Sequence, residues 1–222
     1  MIKIKITLII VSFSLLACAC GQKSDKLKIN PTAVRLNNLA IDLSLYMDNN
    51  DSAGKAIKFL DSATSIDSNY FLGYYNKLMF LNQLKQYDKA IVTVNNLIRL
   101  KPNANDIYWN GGIIYEKIGD TVSSRFYFQK SLTICTKVLD TMNVNNKDYY
   151  MLVTNKAIDL IMLGHQTNGN LLLKEVFENQ TDSFQKEMIH SFMNRSKSEI
   201  IEMVSNRKVQ DSKVSVSNQG DF

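Results

Sequence analysis

The residues Lys55-Ala56-Ile57 return as Lys89-Ala90-Ile91, 34 positions further along the chain. The residue another 34 positions on is Ser124, which is also small. A recurrence of about 34 residues is typical of arrays in which each unit is a pair of helices. Such a unit cannot bury its apolar face alone and must stack on its neighbours. The sequence therefore predicts an all-α solenoid that leaves a long surface free for binding.

The same spacing holds for the residues around these small positions. Leu60, Val94 and Phe128 are all apolar and lie 34 positions apart. Pro102 stands where the helix that contains Ala90 should end. Proline lacks an amide hydrogen and disfavours helix at the residue before it. The pattern thus indicates the second helix of each unit, and Pro102 marks the end of the one that contains Ala90.

The first helices carry a pattern that identifies the kind of repeat. The segment Asn110-Gly111-Gly112-Ile113-Ile114-Tyr115-Glu116-Lys117-Ile118-Gly119-Asp120 resembles the tetratricopeptide repeat (TPR). In that family Gly112 would be the small contact residue, Tyr115 the core aromatic residue, and Gly119-Asp120 the turn between helices. The resemblance implies a right-handed superhelical solenoid of helix-turn-helix repeats. We expect these repeats at about 37–70, 71–104, 105–138 and 150–183.

The segments outside the repeats have their own patterns. Residues 139–149 predict a lengthened second helix followed by a polar loop. Residues 184–206 place apolar side chains at helical spacing and predict a capping helix, which keeps the last apolar face of a solenoid from water. The TPR domain would thus span 33–206. Residues 207–222 are mostly polar and predict a disordered tail.

The first residues of the chain predict export and a lipid anchor. The basic start Met1-Ile2-Lys3-Ile4-Lys5 precedes a nearly unbroken apolar run, Ile6 to Ala17, as in a secretory signal. The run ends in Leu15-Leu16-Ala17-Cys18, which resembles the lipobox of bacterial lipoproteins. The resemblance implies a signal peptide over 1–17 and a diacylglyceryl group on Cys18. The alternative is an ordinary cleaved signal with an incidental cysteine.

The lipoprotein resemblance also implies a location. Two or more acyl chains hold a protein stably on a membrane, so residues 18–32 would be a flexible tether. Ala19, and not Asp, follows Cys18, so the enterobacterial signal for retention at the inner membrane is absent. We therefore expect a lipid-anchored protein of the bacterial cell envelope, on the outer membrane. Both a periplasmic and a surface-facing orientation stay open.

Charge and side-chain chemistry argue against several function classes. The net charge of +5 becomes +3 when Lys3 and Lys5 leave with the signal, and no dense basic patch is present, so nucleic-acid binding is not expected. His165 and His190 have no cysteine or acid at metal-ligand spacing. Gly111-Gly112 follows no predicted strand and is not a nucleotide loop. The sequence predicts a protein that is not an enzyme and holds no metal or cofactor.

The TPR resemblance indicates where a partner would bind. In that family, first-helix residues off the core face line a concave groove. An apolar groove suits a helix or extended segment of a partner, and aromatic residues and methionine are favoured in such interfaces. By register, the predicted partner-binding residues are Ile41, Leu45, Tyr75, Met79, Trp109, Ile113 and Ile158, with Leu72, Asp106 and Thr154 at further groove positions. The alternative is that these residues contact neighbouring helices or are covered by the chain's own C-terminal segment.

Two functions of different classes are consistent with these features. The first is a lipid-anchored scaffold that binds a protein or peptide partner, such as an envelope component, through its groove. The second is a surface glycan-binding lipoprotein in which Trp109 and Tyr75 stack on sugar rings. Lipoproteins of the second kind resemble much longer chains with large insertions between repeats, which this chain lacks. The sequence therefore favours the scaffold.

Overall fold

Helices make up most of residues 28–205, the part of the chain that this computed structural model describes. Ten of them are α-helices, one short 3-10 helix lies between the first two, and no strand occurs in this range. Their bounds are α1 Pro31–Asp42, the 3-10 helix Leu43–Tyr46, α2 Asn50–Ile66, α3 Phe71–Gln83, α4 Tyr87–Leu100, α5 Asn105–Ile118, α6 Thr121–Leu139, α7 Tyr149–Met162, α8 Gln166–Asn179, α9 Ser183–Phe192 and α10 Lys197–Ser205. The prediction of an all-α fold is confirmed.

The first eight α-helices form four consecutive hairpins, α1/α2, α3/α4, α5/α6 and α7/α8. Each of these helices packs on the next along the chain, both within a hairpin and between hairpins. The small residues that recur in the sequence, Ala56, Ala90 and Ser124, are fully buried. Leu60 and Phe128, which recur with the same spacing, are fully buried as well. The sequence repeat is therefore a packing repeat, and the predicted solenoid is confirmed.

The turns inside three hairpins use a residue with left-handed backbone conformation. Gly119 ends α5 with φ 83°, and Gly164 follows α7 with φ 93°. Glycine adopts this conformation without the steric cost that a side chain brings. Lys85, 34 positions before Gly119, has φ 54° at the same place in the preceding hairpin. Asp120 then starts α6, because its carboxylate accepts a hydrogen bond from the Ser123 amide at 2.9 Å.

Two hairpins depart from the regular unit. α1 begins at Pro31, ahead of the expected start of the first repeat at 37. Asn30 accounts for this start, because its Oδ1 accepts a hydrogen bond from a backbone amide of the first turn at 2.9 Å, and proline suits the first helical position. α6 extends to Leu139 and an irregular loop follows it, as expected for residues 139–149.

The apolar core is divided into two large clusters that meet in α5 and α6. The N-terminal cluster involves α1 to α6, and the C-terminal cluster involves α5 to α10. α5 contributes Ile114 to the N-terminal cluster and Ile113 to the C-terminal cluster. α6 contributes Tyr127 and Phe128 in the same way. The hairpin α5/α6 is therefore common to both halves of the core.

The C-terminal segment differs from the single capping helix expected over 184–206. It contains two helices, α9 and α10, with a short break between them. Asn194 in the break has φ 60°, a left-handed conformation that a right-handed helix cannot continue through. Its amide donates to Asn170 Oδ1 at 3.0 Å, and Gln166 Nε2 donates to the Arg195 carbonyl at 2.7 Å. Side chains of α8 thus hold the break in place.

Several predicted segments lie outside the described residues. They are the signal peptide over 1–17, the lipidation residue Cys18, most of the tether over 18–32, and the tail over 207–222. Within residues 28–205, no helix has both the length and the apolar composition needed to span a membrane.

Candidate functional site

The first helices of neighbouring hairpins lie side by side, and α1, α3, α5 and α7 together form what we call the first-helix face. Asn76 Nδ2 on α3 donates to Asn37 Oδ1 on α1 at 2.7 Å. The Tyr75 hydroxyl on α3 lies near the Asp106 carboxylate on α5, whose charge contributes to the raised pKa of Tyr75. Polar side chains thus link consecutive first helices across this face.

One part of the first-helix face is exposed, and we call it the open section. Its members are Leu72, Tyr75, Met79 and Asp106. Leu72 and Tyr75 are 37% and 38% exposed, and Met79 is half-buried. The Tyr75 ring stacks on Phe71 with ring centroids 5.7 Å apart, and Lys101 Nζ lies 4.3 Å from the Phe71 centroid. The open section therefore presents aromatic surface next to a cation and a carboxylate.

Partial burial changes the ionisation of the open section. Desolvation raises the pKa of Tyr75 to about 12, and the nearby charge of Asp106 adds to the rise. Burial also raises the pKa of Asp106, although backbone hydrogen bonds and the charge of Lys101 oppose this. Tyr75 is therefore a neutral hydroxyl at physiological pH.

A second part of the face lies under the C-terminal helix, and we call it the covered section. Its members are Trp109, Ile113, Glu116 and Ile158. Ile113 and Ile158 are each only 5% exposed and Trp109 is half-buried. Ile200 of α10 is fully buried in the same apolar cluster, and Lys197 Nζ of α10 lies 2.6 Å from Glu116 Oε1. The chain's own C-terminal segment thus occupies this part of the face.

The predicted residues of the first hairpin have different surroundings. Ile41 is half-buried on α1, and Leu45 is exposed on the 3-10 helix and not on α1. α1 ends at Asp42, so the helical register that relates α3 to α5 does not extend to Leu45. Thr154, at the groove position expected on α7, is buried.

The charged pair that joins α5 to α10, Glu116 and Lys197, is not indicated by the repeat pattern of the sequence. Glu116 lies three positions after Ile113, so the helical spacing of α5 could have indicated that both share one face. Its carboxylate accepts hydrogen bonds from both Lys197 and the Ser124 hydroxyl. Lys197 had no comparable signal, because its partner lies 81 positions away in the sequence.

The described residues contain no arrangement that indicates catalysis. Ser131 Oγ donates to Asp159 Oδ2 at 2.6 Å beside Cys135, but all three side chains are fully buried. Burial raises the pKa of the Cys135 thiol to about 12, which keeps it protonated and unreactive. His165 is the residue that precedes α8, and His190 of α9 lies against the ring of Phe177 of α8. No group of three metal-ligating side chains occurs in residues 28–205.

Comparisons with known proteins bear on the fold. The tetratricopeptide repeat family matches residues 73–104, which cover most of α3 and all of α4. Similar solved structures include that of PilW, a widely conserved type IV pilus biogenesis factor, with 20% identity and a TM-score of 0.49 over 68% of this chain and 64% of that one. Another is YrrB, a TPR protein with an unusual peptide-binding site, with 16% identity and a TM-score of 0.45 over 78% of this chain and 84% of that one.

The extent of these matches is limited. The alignment with PilW spans just under two thirds of the PilW chain. No curated protein matches the chain. The family match over residues 73–104 agrees with the hairpin α3/α4 as one repeat of this kind.

Proposed function

We propose that this chain, a tetratricopeptide-repeat solenoid, is a scaffold that binds a segment of a partner protein at its open section. Repeat arrays present extended surfaces for binding. The observation that carries the proposal is the difference between the two parts of the first-helix face. Tyr75 and Leu72 stay exposed, whereas Trp109 is half-buried and Ile113 and Ile158 are buried in the cluster that includes Ile200 of α10.

The chemistry of the open section supports a peptide segment as the ligand. Tyr75 offers a large contact area at a small cost in conformational entropy, and tyrosine is common at interface hot spots. Lys101 beside Phe71 and Asp106 near Tyr75 supply charges that can fix the register of a bound peptide. The glycan alternative has less support, because Trp109 is half-buried against the C-terminal cluster and offers less ring surface to a sugar.

Photocrosslinking from the open section tests this proposal. A photoreactive residue replaces Tyr75 in the native host, and the matched control carries it at Val92, which is 61% exposed on α4, the second helix of the same hairpin. We expect one dominant protein adduct from position 75 and not from position 92. The same adducts from both positions, or none from position 75, would contradict the proposal.

Tyr75→Ala should weaken binding of the crosslinked partner at least about tenfold, which is the usual scale for a hot-spot aromatic residue. The fold should survive, because the side chain is exposed. Val92→Ala is the control and should leave the dissociation constant unchanged. Isothermal titration calorimetry of both variants measures the effect, and equal affinities would remove Tyr75 from the binding site.

The proposed function includes a lipid anchor at Cys18 that holds the scaffold on the bacterial outer membrane, so that its partner is an envelope protein. The lipobox resemblance of Leu15-Leu16-Ala17-Cys18 supports this part of the proposal. Cys18→Ala should move the protein from the membrane fraction to the soluble fraction of its host. Cys20→Ala is the matched control and should stay with the membrane. An unchanged distribution of the Cys18→Ala variant would exclude this anchor.

A further inference from the structure

α10 differs from the other helices in how it is attached to the solenoid. It is the only α-helix in residues 28–205 without an extensive packing interface with another helix. Ile200 is fully buried and Lys197 pairs with Glu116, whereas Ile201 and Val204 are only partly buried. Ile201, Met203 and Val204 pack against the same apolar cluster but stay partly buried, so α10 is attached to the covered section by this shallow contact, the buried Ile200 and one ion pair.

The start of α10 is stabilised by its own residues. The Ser196 amide donates to Glu199 Oε2 at 2.7 Å, and the Glu199 amide lies 3.3 Å from Ser196 Oγ. This reciprocal pair is a capping box, which satisfies two amide groups at the start of a helix. Leaving the solenoid would therefore not expose unsatisfied amides at that end of α10.

The break before α10 separates it from the rest of the cap. α9 stays attached through Ile189 and Phe192, which are buried in the C-terminal cluster. The break is fixed to α8 through the bonds of Asn194 and Arg195 described above. A change of backbone angles after Arg195 would release α10 and leave α9 in place.

Removal of α10 would leave a site with one carboxylate, Glu116, next to an apolar surface. Glu116 has a side chain that is only 11% exposed, and it would lose its cation. The Ser124 hydroxyl would remain as a hydrogen-bond donor, but the carboxylate would have no counter-charge, so the site favours an incoming ligand that brings a positive charge. The apolar cluster that contains Ile113 and Ile158 would lose the buried side chain of Ile200, so the ligand must also bring an aliphatic side chain. In α10 these two groups are three positions apart on one helix face.

We infer that α10 is an exchangeable occupant of the covered section, and that a partner helix with Lys or Arg followed three positions later by Ile or Leu takes its place. This inference rests on the proposed function, since it extends the partner's binding site from the open section to α5 and α7. The tethered helix competes at a high effective concentration, so it lowers the apparent affinity of the partner. α10 thereby sets a threshold for binding and selects partners that carry both groups.

A labelled peptide with the sequence of residues 195–206 tests the exchange on the full chain. We expect weak binding to the unmodified protein and at least tenfold tighter binding to the double variant K197A/I200A, whose own helix competes less. Ser198→Ala, at an exposed position of α10, is the control and should behave as the unmodified protein. Adding Glu116→Gln to K197A/I200A should weaken peptide binding at least tenfold, because the carboxylate that selects the cation is gone.

Two measurements keep the test decisive if K197A/I200A folds poorly. Loss of its cooperative unfolding would identify α10 as a fixed part of the fold and overturn the inference, as would a folded variant that does not bind the peptide. In the unmodified protein, backbone amides of α10 should exchange with deuterium at least tenfold faster than those of α9. Equal protection of the two helices would also overturn the inference.

The outcomes also separate this inference from the proposed function. Tyr75→Ala should leave binding of the 195–206 peptide unchanged, because Tyr75 lies in the open section. A partner that depends on Tyr75 but binds the unmodified protein and K197A/I200A equally would keep the proposed function and overturn the exchange. A dimer of the unmodified chain that dissociates in K197A/I200A would assign the covered section to a second copy of the chain. It would overturn the inference that a partner helix binds there.

Discussion

Gly169→Ala is expected to lower the free energy of unfolding by about 2 kcal/mol, the usual scale of overpacking in a core. Gly169 lies on α8 where that helix packs on α7. An added Cβ atom would lie 2.6 Å from the backbone oxygen of Ala157 and 2.5 Å from Cγ1 of Ile161. A backbone oxygen cannot rotate away as a side chain can, so α7 and α8 would have to separate. The loss should therefore exceed the gain in helix propensity that alanine brings.

Gly54→Ala is the matched control for this prediction. Gly54 also lies inside a helix, α2, but an added Cβ atom would meet no atom within 4 Å. Only the helix propensity changes there, so this variant should be more stable than the unmodified protein by up to about 1 kcal/mol. Urea unfolding of both variants measures the two effects. A Gly169→Ala protein as stable as Gly54→Ala would show that α7 and α8 are not held at this close contact.

Asp159→Asn is expected to remove most of the pH dependence of stability between about pH 4 and pH 8. Asp159 is fully buried, and Ser131 Oγ donates to its Oδ2 at 2.6 Å, whereas its Oδ1 has no hydrogen-bond partner among the described residues. Burial raises the pKa of this carboxyl to about 8, and the hydrogen bond from Ser131 opposes the rise. Cys135 beside it stays protonated throughout this range, because its own pKa is about 12.

The sign of the effect follows from proton binding. Between the ordinary pKa of an aspartate and about 8, the folded protein keeps the proton on Asp159 and the unfolded chain has lost it. Stability therefore falls as the pH rises through this range, by at most about 1.4 kcal/mol per pH unit for a single group. Above pH 8 the full loss of stability that comes from ionising the buried Asp159 is present.

Unfolding in urea at pH 5.5 and pH 8 measures this prediction. The unmodified protein should lose about 3 kcal/mol between the two values if this carboxyl dominates. Asp159→Asn should lose much less, because an amide does not ionise. Asp51→Asn, at an exposed position in the first turn of α2, is the control and should keep the full pH dependence. Equal slopes for all three proteins would place the titrating group elsewhere.

The hairpins of the solenoid could be predicted because their packing is periodic. Ala56, Ala90 and Ser124 recur at one spacing, and the structure buries all three. Such a pattern indicates which face of a helix is apolar, but it does not indicate which segment covers that face. The prediction that Ile113 and Ile158 contact a partner therefore left open what covers them, and in the structure they lie in a cluster that includes Ile200 of α10.

The features that could not be predicted depend on contacts that are distant in the sequence. The break at Asn194 is held by Asn170, 24 positions earlier, and no local signal near residue 194 specifies that bond. The same holds for Asp159, since its burial depends on Ser131 of the preceding helix, 28 positions away. An acidic residue in a helix is usually solvated, so the sequence alone gave no reason to place this one in the core.

The shared hairpin α5/α6 determines the order in which the chain can open. Its residues belong to both apolar clusters, so loss of the N-terminal hairpins leaves Ile113 and Phe128 packed on the C-terminal side. Loss of the C-terminal helices likewise leaves Ile114 and Tyr127 packed on the other side. Because a solenoid is stabilised by contacts between neighbours, local unfolding from either end reaches this hairpin last. Any force transmitted between the two ends of the solenoid must pass through it.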